Sequence, residues 1–146
     1  MAVSPVATII ELHGQPKGGG FRASCADSIA IPKGTVLRWA QDPADNTVSG
    51  CLLTDAGVAF AGIANEEKEA DDGATTIGMW TKGVFGITVS GAALVPGSLL
   101  QISGANLLGP LTGSGILTIS GGGLVGKLLD TTTAASEVAR VAVGIY

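Results

Sequence analysis

The chain is poor in the side chains that enzymes use. It holds one histidine, His13, two cysteines, Cys25 and Cys51, and six aromatic residues among 146. A lone histidine with no nucleophile and base around it assembles no catalytic triad. Cys25 and Cys51 lack the paired spacing of a metal motif and read as free buried thiols of a cytosolic product. Charged residues make up only 14% of the chain and the eight basic ones are scattered, which excludes nucleic acid as an expected partner. Long apolar runs are missing too. Gly, Ser, Thr or Pro interrupts them every few residues, so no membrane span of about 20 residues is expected. The opening MAVSPVATIIELHG has no basic n-region, and Glu11 breaks its apolar run, so it does not read as a secretory signal.

What is present is glycine, 23 residues of it, with 6 prolines. Each interior Gly costs a helix about 1 kcal/mol and each Pro about 3 kcal/mol, so long helices are excluded. Hydrophobic residues still reach 46%, enough for a core. Apolar residues in short pieces cut by turn formers predict an all-β domain, a small barrel or sandwich of nine or ten strands.

Residues 1–28 read as an extended N-terminal arm and 29–146 as the β-rich domain. In the arm, Val6 to Leu12 alternates, with Val6, Thr8, Ile10 and Leu12 on one side. Gln15-Pro16-Lys17 and three glycines follow as a hinge. A strand on such a hinge suits pairing with the edge of another sheet. Further strands are expected at Thr35–Ala40, Val58–Ala64, Leu99–Ser103, Ile116–Ser120, Leu124–Asp130 and Val138–Ile145. Ala74–Trp80 and Gly83–Val89 read as a hairpin across Thr81-Lys82. Residues 65–73, NEEKEADDG, form the one strongly charged segment, a loop or short frayed helix.

Between Lys82 and Lys127 there is no charged side chain. A solvated surface normally carries a quarter or more of charged residues, so this stretch is expected to be covered in part by other subunits. Trp39, Trp80, Phe85, Ile87, Leu99 and Leu100 are the candidate subunit-interface residues.

GGGLVGKL at 121–128 satisfies G-x-G-x-x-G and nearly matches a phosphate loop, with Lys127 in place. That loop needs a hydroxyl after the lysine and a helix behind it. Leu128 stands where the hydroxyl belongs, so a glycine-rich turn between strands is the better reading. Glu66, Glu67, Glu69, Asp71 and Asp72 lack the alternating spacing of a calcium loop and read as a solvated acidic loop. IPKGTVL at 31–37 and VPGSLLQI at 95–102 share an order of proline, turn glycine, hydroxyl and apolar strand, read here as a reused turn.

The succession IPKGTVL, AFAGIAN, an acidic loop, GMWTKGVFGITVSG, VPGSLLQISGANLL, LVGKLLD and VARVAVGIY resembles the small capsid decoration proteins of tailed phages. These are the head-stabilising, or cement, proteins of β-tulip fold, of the lambda head decoration type. The resemblance covers roughly residues 28–146. It implies a homotrimer on the outside of the expanded capsid, at three-fold and quasi-three-fold positions, bound to the major capsid protein and resisting DNA pressure. It implies a virion location after synthesis in the host cytoplasm, with no cofactor, metal, membrane or small-molecule substrate. An N-terminal segment that adds a strand to the capsid maps onto Val6, Thr8, Ile9, Ile10, Glu11 and Leu12.

Two other readings fit the composition. One is a different trimeric virion component, a head-fibre base or tail protein. The other is a small surface or carbohydrate-binding module, which would want exposed loop aromatics. An enzyme is the reading with least support, because no acid–base pair is visible.

Overall fold

The computed structural model describes residues 4–12, 21–40, 42, 44–111 and 123–144. Its described elements are all strands: β1 (Thr8–Leu12), β2 (Phe21–Ser24), β3 (Val36–Trp39), β4 (Val48–Gly50), β5 (Phe60–Ala64), β6 (Thr76–Trp80), β7 (Gly83–Ser90), β8 (Leu99–Gly104), β9 (Leu107–Pro110), β10 (Leu124–Leu128) and β11 (Ser136–Val143). The first sheet runs β2-β6-β5-β3-β4. The second runs β7-β11-β10-β8-β9, with β1 added outside β7. A parallel pairing of Thr88 with Leu107 and Val89 with Leu108 joins β7 to β9 and closes the second sheet into a five-stranded barrel. In the first sheet the corresponding ends meet at one parallel bridge, Ser24 to Thr47. The fold is all-β and barrel-like, as the composition requires.

The two barrels are one motif used twice. Taking β2 to β6 and β7 to β11 as first to fifth strands, both sheets have the order first, fifth, fourth, second, third, closed by a parallel contact between first and third. The register repeats as well. Val36 faces Ile63 and Leu37 faces Gly62, as Leu99 faces Lys127 and Leu100 faces Gly126, and a bulge follows at the same place in each pair. Ala64 faces Met79 as Leu128 faces Val141.

The turn echo sits at equivalent positions in this repeat, so it is more than a reused turn. Thr35 donates both N–H and Oγ1 to the Pro32 carbonyl at 3.1 and 2.6 Å. Ser98 donates both N–H and Oγ to the Val95 carbonyl at 3.2 and 2.7 Å. Gly34 N–H reaches Ala64 O at 2.8 Å, and Gly97 N–H reaches Leu128 O at 2.7 Å. Gly34 and Gly97 have φ of 88° and 93°, where a Cβ is strained.

Inward positions correspond: Ala23 to Ile87, Cys25 to Val89, Leu37 to Leu100, Val48 to Leu108 and Met79 to Val141, every one buried. The barrels nonetheless have separate cores. Val36, Ile63 and Trp80 lie side by side across β3, β5 and β6 and join the core of the second barrel, not their own. They point outward from the first barrel and close one end of the second. Trp80 lies over Phe85, ring centroids 6.0 Å apart.

Several expectations need correction. Thr8–Leu12 pairs antiparallel with β7 of its own chain, and β2 belongs to the first barrel, so residues 4–12 and 21–28 do not form a detached arm. The alternating apolar face explains this: Ala7 is buried and Ile9 packs on the second core. Thr81-Lys82 is not a hairpin turn, because β6 pairs with β2 and β5 while β7 pairs with β1, β11 and β9. It links the barrels. The hinge at 15–20, His13 and the strand expected at Ile116–Ser120 lie outside the described residues.

Candidate interaction surface

Four of the six residues expected at a subunit interface are spent inside the chain. Trp80, Phe85, Ile87 and Leu100 are buried in the second core, so they have no surface left for a partner. Their large apolar side chains sit on the inward or barrel-joining face of their strands, which sequence alone cannot distinguish from a face covered by another subunit. Trp39 packs half-buried on the first core, and Leu99 is half-buried on the outside of β8. The charge-free stretch owes much of its apolar character to β7, β8 and β9 lining a closed barrel.

The acidic segment is built, not merely solvated. Lys68, only 3% exposed, donates to the carbonyls of Asp27, Ile29 and Glu69 at 2.8, 3.1 and 3.0 Å and to Asp72 Oδ1 at 3.1 Å. Four nearby acids, Asp27, Glu66, Glu67 and Asp72, have structural tasks. Glu66 accepts from Gly78 N–H at 2.8 Å and pairs with Arg22 at 2.9 Å. Glu67 accepts from Lys33 N–H, and Asp27 from Gly73 N–H. The Gly78 N–H bond, with help from Arg22, holds the Glu66 carboxyl below its ordinary range; Ala74 N–H and Lys68 do the same for Asp72. No group of three or more metal-type ligands occurs among the described residues. The loop is therefore ordered around one buried ammonium, which the sequence signalled only as a lysine among acids.

The glycine-rich string is also strand. Leu124–Leu128 is β10, and Gly126 sits in the bulge where a Cβ would run into the Ala142 carbonyl. Its glycine serves close strand packing. Gly123 and Lys127 belong to the same barrel wall, with β11 and not a helix as the next described element; Gly121 lies outside the described residues.

Large apolar groups reach the surface at Ile10, Phe21, Leu52, Leu53, Val95 and Val138 among the described residues, and two of these places bear on partners. On the second barrel, Thr8, Ile10 and Val138 converge over Gly86, which leaves room for them by lacking a Cβ. Ile10 and Val138 are both exposed, and Ile10 is the extra residue between Ile9 and Glu11 in the β1–β7 register. β1 has β7 on one side and no described strand on the other, so an edge of backbone donors and acceptors adjoins this strip. The first barrel exposes Phe21 at the start of β2. Neither Phe21 nor Val138 stood out in the sequence, where Phe21 lies in the arm and Val138 opens an ordinary strand.

β1 itself is locked to both barrels. Ala7 N–H donates to Gly34 O at 2.7 Å, and Ser4 O accepts from Asn106 Nδ2 at 3.4 Å. Backbone of Thr8 to Leu12 pairs with Gly86 to Gly83. An edge held this way is fixed in position before any partner arrives.

No protein-family model matches the chain, and no curated protein matches it.

Proposed function

We propose that this protein is a structural component of a phage virion, a decoration protein that binds the outside of the expanded capsid as a homotrimer and stabilises it. The resemblance in order and texture of the strand segments motivates the reading. The observation that carries it is the exposed edge of β1 with its apolar strip, Ile10 and Val138 over Gly86. Such an edge suits addition of an extended strand from the major capsid protein.

The role needs contact area and rigidity, not reactive groups. The segment assigned to the capsid is the same one the resemblance implied, Val6 to Leu12, but it acts from its docked position on β7 with its outer edge. Three such edges on one trimer make the attachment multivalent, so weak strand additions sum to tight binding. The location implied is the outer capsid surface, with the major capsid protein and self as partners.

The test is co-sedimentation with expanded heads and with unexpanded procapsids of the encoding phage, using the full chain and the Ile10→Asp and Val138→Asp variants. Saturable binding to expanded heads, weakened by either variant, is the expected result. Absence of binding to both shells would refute the reading.

A further inference from the structure

The repeat places a phenylalanine at one position in both barrels. Phe21 faces Met79 across β2 and β6, as Phe85 faces Val141 across β7 and β11, and Met79 and Val141 are themselves equivalent. Phe85 is 0% exposed because the outer face of the first barrel, with Trp80, closes that end of the second barrel. Phe21 is 54% exposed. The receiving end of the barrel is thus filled in one copy and, among the described residues, open in the other.

The matching outer face is also present twice. Val36, Ile63 and Trp80 form the row that fills the second barrel's end; the register equates them with Leu99, Lys127 and Ala142. Leu99 and Lys127 are half-buried at the surface of the second barrel. One chain therefore carries a used pair of complementary surfaces and a second pair that keeps Leu99, Lys127 and Phe21 at the surface, Ala142 being buried. The rows differ in size, the small Ala142 standing in place of Trp80, and in charge, Lys127 standing in place of Ile63. The open end also differs in charge. The short β8–β9 turn, which ends in Asn106, corresponds to a longer turn with Asp42, Asp45 and, at the Asn106 position, Asn46. A lysine on the row faces two acids at the end it would enter.

We propose that Leu99 and Lys127 of one copy dock on the open end of the first barrel of the next copy, over Phe21 and beside Asp42 and Asp45. The contact repeats between chains the joint that already holds the two barrels together within a chain. It is heterologous, one patch against a different patch, which is the only kind of contact that closes a three-fold ring. The proposal deepens the homotrimer of the reading above by naming its interface, and it leaves the β1 edge free for the shell.

Sedimentation velocity of the full chain across a concentration series tests it, with Phe21→Asp, Lys127→Glu, Asp45→Lys and the double variant Lys127→Glu/Asp45→Lys. All three positions lie at the surface, and circular dichroism checks that each variant folds. The expected result is reversible association, weakened about tenfold or more in Kd by Phe21→Asp and by either charge reversal alone, and recovered in the double variant. A chain that stays monomeric at every concentration, or association indifferent to Phe21→Asp, overturns the proposal. Shell co-sedimentation of the same variants separates the two ideas. If Phe21→Asp abolishes shell binding but not self-association, the open end belongs to the shell and the proposal falls. If the chain never binds shells yet self-associates through Phe21, the proposal stands and the decoration reading falls.

Discussion

Asn106 Oδ1 accepts the backbone N–H of Val36 at 2.9 Å, tying the β8–β9 turn of the second barrel to the first strand of the row that closes it. Asn106 is buried and has φ of 54°, a conformation that asparagine tolerates better than other residues with a side chain. The bond satisfies a donor at the joint between barrels, where a lost partner would leave it away from water.

Asn106→Ala should therefore destabilise the chain by about 2–4 kcal/mol, the sum of an orphaned donor and a strained alanine. Asn106→Gly should lose less, because it removes the side chain's hydrogen bonds to Val36 and Ser4 without the backbone strain. Urea unfolding followed by tryptophan fluorescence measures both. Equal losses in the two variants would show that backbone strain contributes nothing.

Lys68→Met should cost up to about 3 kcal/mol, because the three carbonyls gathered by the ammonium are left without their donor. Hydrogen exchange should show the loss centred on residues 65–75. A uniform change across both barrels would contradict the local role given to the loop.

Acid should weaken the fold. Folded-state pKa values are lowered at Glu66 by the Gly78 N–H, at Asp72 by the Ala74 N–H and Lys68, and at Asp130 by Arg140. A lowered folded value means the stabilisation is complete above the unfolded carboxylate range, about pH 4, and is lost as pH falls through the folded values. Urea midpoints should be level from pH 7 to about pH 5 and fall below it. Asp72→Asn and Asp130→Asn should flatten that fall. A midpoint that rises on acidification would be incompatible with this assignment.

Both thiols should be inert in the folded chain. Burial pushes the Cys51 thiol up to about 12, and burial also raises Cys25. A thiol-reactive chromogen at pH 8 should label neither cysteine until denaturant is added. The raised folded values stabilise the chain below the unfolded thiol range, about 8.5, and that contribution is lost as pH climbs towards 12. Rapid native labelling would show that the inner faces open readily.

Gly126→Ala should destabilise by about 1–3 kcal/mol through the clash with the Ala142 carbonyl, and Gly62→Ala less, since its nearest atom, Trp80 O, lies 2.8 Å from the added carbon. Thermal melts of the two variants give the order. The reverse order would mean that the two bulges relax differently from what their geometry indicates.

Most of the strand content was legible from local pattern. β7 alternates Phe85, Ile87 and Val89 inward, and β11 does the same with Ala139, Val141 and Val143, all buried. Strands β2, β4 and β9 escaped notice, being three or four residues long and too short to display a period. The link at Thr81-Lys82 imitates a hairpin because two strands flank two residues, and nothing local says that their partners lie elsewhere.

The amino-acid sequence by itself determined the strand-and-turn alphabet: glycine and proline forbid long helices, period-two alternation marks the faces, and the two Pro–Gly turns mark the second strand of each barrel. Only the tertiary structure decided which faces are covered. Val36, Ile63 and Trp80 point outward from their barrel, as Leu99, Lys127 and Ala142 do from theirs, yet the first row is buried and Leu99 and Lys127 remain partly exposed. Phe21 and Phe85 differ in the same way. Alternation gives each strand two sides, but the free energy of burial depends on what is packed against a side, and that is set by which strands the tertiary fold brings together.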